Sequence, residues 1–112
     1  DYTWIGDYTT LYSVAEIEIG SHVAIAHHVY ICTASHNYLS TDFETISAKV
    51  KINDQVWLPN DVFVGSGVTI GKGSVVGARS TVLKDLPQGA ICYGNPASVV
   101  RTRKKSSGKF NS

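Results

Sequence analysis

Between Ile52 and Val82, aliphatic residues recur at Ile52, Leu58, Val64, Ile70, Val76 and Val82, six apart without a break. This is neither the 3.6-residue period of a helix nor the alternation of an ordinary strand. A companion series, Val56, Val62, Val68, Ser74 and Ser80, keeps the same step with small or β-branched residues, and glycine follows the aliphatic at Gly65, Gly71 and Gly77. A six-residue repeat of this kind predicts an all-β fold, a parallel β-helix. Each hexad supplies a short strand whose aliphatic side chain turns into a narrow prism, and three hexads close one coil. The glycine beside the aliphatic is expected to let the backbone turn the corner. Coils then stack as parallel strands about 4.8 Å apart.

The same ruler finds two interruptions upstream. Ile5-Gly6 and Leu11 open the series, but the next aliphatic-glycine pair is Ile19-Gly20, eight residues after Leu11, so two residues are inserted around Ala15 and Glu16. The step resumes through Ile25 and Ile31, with Ile17, Val23 and Val29 as companions, and stops at Ser35-His36. No hexad fits residues 36–50, which predicts a loop extruded from the coil wall, a usual place for a functional site. After Leu83 the chain leaves the repeat, with Pro87 and Pro96 as breakers. Residues 1–86 are therefore expected to form the β-helix, and residues 87–112 a C-terminal cap and basic tail. The cap would cover strand edges that a bare last coil exposes.

Composition narrows the class. A chain of 112 residues with a net charge of +1 is one domain, and five of its ten Lys and Arg lie beyond residue 100, which argues against a nucleic-acid-binding surface. It has no apolar run long enough for a membrane span and no amino-terminal signal pattern. Cys32 and Cys92 read as buried free thiols in a reducing compartment, which points to the cytoplasm. Asp1 falls inside a repeat, so more chain is expected upstream of it.

Histidine supplies the candidate chemistry. His36 stands where the repeat breaks. An imidazole, with its ordinary pKa near about 6.5, suits a proton acceptor at neutral pH. The residues alone favour an exposed loop histidine without a role. His22 and His28 are six apart and are expected to stack on adjacent coils; with His27 they raise the alternative of a zinc set. By their register all three fall on the turn or outward side of the hexads, which favours exposed polar stacking.

The stretch IEIGSHVAIAHHVYICTASHNY, then KVKINDQVWLPNDVFVGSGVTIGKGSVVGARSTVLKDLP and GNPASVVR, resembles the hexapeptide-repeat O-acetyltransferases up to about Lys104. The interrupted TASHNY loop and the TTLYSVAEIEIG insertion are most similar to the colanic-acid type of exopolysaccharide acetyltransferases, and more distantly to maltose and galactoside acetyltransferases. The resemblance implies a left-handed coil, acetyl-CoA as cosubstrate, a sugar hydroxyl as acceptor, no metal, and a homotrimer with active sites at subunit interfaces. It implies His36 as general base, matching the family's serine-or-glycine-histidine motif, with backbone N–H groups near Ala34 and Ser35 as oxyanion donors. Asn60 and Ala78 would line the pantetheine arm, Trp57 would pack near the thiol end, and Lys84 and Arg101 would meet phosphates or ribose. Gly94-Asn95-Pro96-Ala97 would turn near the adenine. Three departures stand out: Leu58-Pro59-Asn60 where relatives read Ile-Gly-Gly, Arg79 in place of glycine, and Leu83 in place of threonine. Leu83 removes a hydroxyl from the phosphate end, for which Arg79 is a candidate replacement. Tyr38, Asp42 and Glu44, in the extruded loop, are candidates for the acceptor pocket. The competing reading is a metal-binding or scaffold β-helix related to γ-type carbonic anhydrases, in which His22, His27 and His28 matter and His36 does not.

Overall fold

The computed structural model of the chain describes residues 2–103, 105–106 and 109–110, and all its regular elements there are β-strands of two to six residues. Both hexad series point inward. Ile52, Leu58, Val64, Ile70, Val76 and Val82 are each 0% exposed, and their companions Val56, Val62, Val68, Ser74 and Ser80 no more than 2%. Burial of these two side chains per hexad holds each coil on the next.

Three parallel sheets form the walls. The first stacks Trp4–Ile5, Ala24–Ile25, Trp57–Leu58, Val75–Val76 and Ala90–Gly94; the second Thr10–Tyr12, Tyr30–Cys32, Phe63–Val64 and Thr81–Val82. The third stacks Ile17–Ile19, Val50–Ile52 and Thr69–Ile70, extended by a bridge from Ile70 to Leu86. Register between coils counts the insertions. Phe63 pairs with Thr81, eighteen residues or three hexads on. Thr10 pairs with Tyr30, twenty on, which places two extra residues between them. Ile17 pairs with Val50, thirty-three on, so fifteen extra residues leave the wall.

Corners are turned differently from the sequence expectation. The left-handed backbone conformation falls not on the glycine after the aliphatic but two residues later, at Tyr8, His22, His28, Gln55, Asp61, Gly67, Gly73 and Arg79, with φ between 57° and 76°. Gly6, Gly20, Gly71 and Gly77 are instead required for space, because a β-carbon there would collide with a neighbouring coil. Nor do His22 and His28 stack on each other, since residues six apart lie on successive corners of one coil. His22 stacks on Tyr2 and His28 on Tyr8, both with ring centroids 5.2 Å apart, one coil below.

Thr33, fully buried, joins the two interruptions. Its hydroxyl donates to the Tyr12 carbonyl at 3.0 Å and accepts the amides of Val14 and Ala15 at 2.8 and 2.9 Å, which fixes the two-residue insertion. Its carbonyl accepts the Ala48 amide at 3.0 Å, which closes the base of the extruded segment. That segment is a β-hairpin, Ala34–His36 against Thr45–Ser47, and Val50 is already back in the core.

Although residues after Leu83 abandon the hexad, Leu86, Ala90 and Cys92 still enter the core, and Cys92 pairs with Val76. The segment thus continues the coil. Ala97–Thr102 then folds back antiparallel along Ala90–Gly94 and covers that strand's edge. In the basic tail, Lys105–Ser106 pairs with Lys109–Phe110. Lys104, where the sequence resemblance ends, lies outside the described residues, as do Asp1, residues 107–108 and residues 111–112. Both cysteines are free thiols, Cys92 buried but Cys32 only half-buried, so the expectation of burial fails for Cys32. Cys32 is an outward residue of its wall, its thiol 3.2 Å from the Ala34 carbonyl.

Candidate active site

His36 ends the first strand of the hairpin, exposed, with Nδ1 2.9 Å from the carbonyl oxygen of Phe43, two residues before the opposite strand. A carbonyl only accepts, so this contact places the imidazole hydrogen on Nδ1 and leaves the lone pair on Nε2, directed away from the hairpin backbone. The bond gives a neutral imidazole the tautomer that a proton acceptor at Nε2 requires. Register decides which amides lie beside it. Thr33 with Ala48 and Asn37 with Glu44 are hydrogen-bonded pairs, so the alternation of an antiparallel ladder makes Ser35 with Ile46 the pair between them. The Ser35 amide is therefore spent in the ladder, and of the two amides the sequence suggested, Ala34's is the one facing outward.

A groove of about 800 Å³ runs along the outside of the first wall. Its floor is a row of outward side chains one strand apart: Trp57 beside Val75, Val75 beside Ile91, Ile91 beside Arg101. Three strand spacings make this row about 14 Å long. Pro59, Val76, Gly77, Ala78, Tyr93 and Thr102 complete the lining. The middle is apolar and one end carries a guanidinium.

Of the residues singled out in the sequence, Trp57, Ala78 and Arg101 share this groove, whereas Asn60 and Lys84 do not line it. Asn60 is held at a corner, where its Oδ1 accepts the His27 amide at 2.9 Å and its carbonyl accepts the Arg79 amide at 3.0 Å. Arg79 itself faces Asp61 at 3.8 Å, both exposed, and Lys84 is exposed beyond Leu83. Gly94 to Ala97 makes the tight turn between the last two strands, through a cis Asn95-Pro96 peptide. Ile91 and Tyr93 were not anticipated as lining residues. Their signal was Gly77, whose missing β-carbon makes room for the Tyr93 ring. Tyr38 and Asp42 are exposed near the hairpin tip, and Glu44 pairs with Asn37.

The hairpin leaves the prism between the second and third walls, after Tyr30–Cys32 and before Val50–Ile52, while the groove lies on the first wall. His27 accepts the Asp7 amide on Nδ1 at 2.8 Å and meets Trp4 edge-on. Each of the other three histidines is thus engaged with the coil below, and no group of three or more His, Cys, Asp or Glu able to hold a metal occurs among the described residues. Nor is any helix among them long and apolar enough to cross a membrane.

Comparison with known proteins agrees with the repeat. Residues 49–84 match the family described as bacterial transferase hexapeptide (six repeats). The chain is 50% identical over 103 residues to WcaF of Escherichia coli (strain K12), which carries the name of a colanic acid biosynthesis acetyltransferase; the match covers 92% of this chain and 57% of that one. It is 40% identical over 96 residues to a galactoside O-acetyltransferase of Lactococcus lactis, covering 82% of this chain and 46% of that one. Among solved structures, a hexapeptide-repeat acetyltransferase from Vibrio cholerae, complexed with acetyl coenzyme A, superposes with a TM-score of 0.89 at 37% identity, over 94% of this chain and 59% of that one. The chain thus spans about half the length of these relatives. By its hexads, unbroken from Ile52 to Val82, its three-walled coil and these similarities, it belongs to the family described as bacterial transferase hexapeptide.

Proposed function

We propose that the protein is an acetyl-CoA-dependent O-acetyltransferase that transfers an acetyl group to a sugar hydroxyl of a saccharide or exopolysaccharide precursor. The observation that carries this is the Trp57-Val75-Ile91-Arg101 row. An apolar strip about three strands long, ending in a guanidinium, fits a thin pantetheine arm with phosphates at one end, because a guanidinium pairs with phosphate in bidentate fashion. Ala78, with its short side chain, lets the arm approach the backbone. Trp57 would mark the thiol end and Arg101 the phosphate end. Asn60 and Lys84 are proposed only as outer contacts.

In the reaction, Nε2 of His36 takes the acceptor hydroxyl proton as the oxygen attacks the thioester carbonyl. The new C–O bond forms, the C–S bond breaks, and the proton passes from His36 to the departing thiolate. An outward backbone amide such as that of Ala34 would meet the developing oxyanion. His36 and the groove occupy different sides of one prism, which supports an active site shared between copies, in a homotrimer of left-handed coils working in the cytoplasm. The vibrio and galactoside relatives, named as acetyltransferases, support the same chemistry. Because His22, His27 and His28 are engaged with the coil below, the metal-binding reading has no observation in its favour.

The test is release of free thiol from acetyl-CoA by the full-length protein, over a panel of hexoses and nucleotide sugars, with His36→Ala beside it. A fall of at least about a hundredfold in the variant is expected, the usual contribution of a positioned base. Turnover unaffected by the substitution would remove His36 from the mechanism. An absence of both turnover and acetyl-CoA binding would overturn the proposed activity.

A further inference from the structure

The hairpin does more than display His36. Asn37 and Glu44 directly follow His36 and Phe43 where the two strands meet the hairpin's connecting loop, and they are tied together twice. The Asn37 amide donates to the Glu44 carbonyl at 2.9 Å, and the Asn37 side-chain Nδ2 donates to Glu44 Oε1 at 3.2 Å. Asn37 also anchors the tip, its Oδ1 accepting the Leu39 amide at 3.1 Å and its carbonyl the Ser40 amide at 3.2 Å. Phe43, whose carbonyl holds His36 Nδ1, has a φ of 46°, a left-handed conformation that a bulky residue rarely adopts. Surrounding contacts must impose it. The Phe43 amide is bound to the Ser40 carbonyl at 3.2 Å on one side, and Glu44 is bound to Asn37 on the other.

Resting on the reading of His36 as the base, we propose that Asn37 and Glu44 are positioning residues, which hold the Phe43 carbonyl on His36 Nδ1 and thereby keep the Nε2 lone pair available. A free neutral imidazole favours the opposite tautomer, with hydrogen on Nε2. Loosening the Asn37–Glu44 tie lets Phe43 relax to negative φ, withdraws its carbonyl and turns Nε2 from acceptor into donor. The lost property is the orientation of one proton, an effect distinct from loss of the fold.

The experiment uses the full-length protein labelled with ¹⁵N-histidine, because two-bond proton–nitrogen correlations report which ring nitrogen carries hydrogen. Wild type is expected to show His36 protonated at Nδ1. In Glu44→Ala and Asn37→Ala the Nε2-protonated form should rise, and kcat should fall about tenfold with KM for acetyl-CoA unchanged, as for lost orientation of a ligand or base. Glu44→Gln keeps the Oε1 acceptor without the charge and should restore both tautomer and rate. His36 remaining protonated at Nδ1 in Glu44→Ala would overturn the proposal, and so would a Glu44→Gln variant as impaired as Glu44→Ala. His36→Ala with wild-type turnover would sink the base reading alone, because the tautomer shift is read without activity.

Discussion

The ring of Tyr93 occupies the space that a β-carbon on Gly77 would need, whereas the equivalent space at Gly71 is filled by the backbone of Pro87 and Gln88. Two glycines at the same hexad position therefore answer to different neighbours. Gly77→Ala should push the Tyr93 side chain out of the groove and weaken acetyl-CoA binding about tenfold, near 1.4 kcal/mol, with little change in thermal midpoint. Gly71→Ala cannot be relieved by a rotamer change and should cost about 1–3 kcal/mol of stability, as overpacking does. Calorimetric titration and urea unfolding of both variants check the contrast, and equal loss of stability would refute it.

Ser74 tests the repeat against its exception. The companion series asks for valine there, yet the Ser74 hydroxyl donates to the Pro87 carbonyl at 2.6 Å and accepts the Ala90 amide at 3.3 Å. Ser74→Val fits the ladder sterically but leaves both backbone groups without that partner. Destabilisation of about 1–3 kcal/mol is expected, the cost of unsatisfied buried polar groups. A neutral or stabilising result in urea unfolding would show that the hexad pattern alone governs this position.

These two residues also mark how far the sequence could be read. The inward ladders, the two-residue insertion and the extruded segment were legible because a strict period makes each departure countable, and the pairings of Thr10 with Tyr30 and Ile17 with Val50 follow that count. Trp57, Ala78 and Arg101 came from resemblance, and they share one groove. What periodicity could not show was contact between coils: that His22 meets Tyr2 and not His28, that glycine yields space and not a turn, or that Asn60 is occupied at a corner. The hairpin's internal bonds were hidden for the same reason. His36 and Phe43 are seven apart in a segment with no period, and nothing in composition pairs a carbonyl with an imidazole.

Where the hairpin returns to the wall, Lys49 Nζ lies 2.7 Å from Glu18 Oε1 and 3.4 Å from Glu16 Oε1. The hydrogen bond and charge of Lys49, with Lys51 beyond it, lower the Glu18 carboxyl below its ordinary 4.5, and the same bond raises Lys49 above 10.5. A depressed carboxylate contributes stability above its unfolded value and loses it as pH falls through the folded one. The raised lysine contributes below 10.5 and loses that contribution as pH climbs past it. Urea midpoints at low salt should therefore drop on acidification below 4.5 more in the wild type than in Glu18→Gln, and molar salt should erase the difference because both groups are exposed. A Glu18→Gln variant as acid-sensitive as wild type at low salt would exclude the pair.

The placement of His36 and the groove on different sides of one prism leads to a prediction about mixtures. His36→Ala removes the base but leaves the groove, and a Trp57→Ala, Arg101→Ala double variant damages the groove but leaves the base. If one chain's hairpin serves its neighbour's groove, co-refolding the two inactive proteins in equal amounts forms some interfaces where an intact hairpin meets an intact groove. Random assembly into a closed ring gives each interface one chance in two of an intact hairpin and one in two of an intact groove, so about a quarter of wild-type turnover should return. If each chain completes its own site, every site keeps one defect and nothing returns. The proportion of the two variants then sharpens the distinction: recovered activity should follow the product of their fractions and peak at equal amounts, and activity absent at every ratio would place His36 and the groove within a single chain.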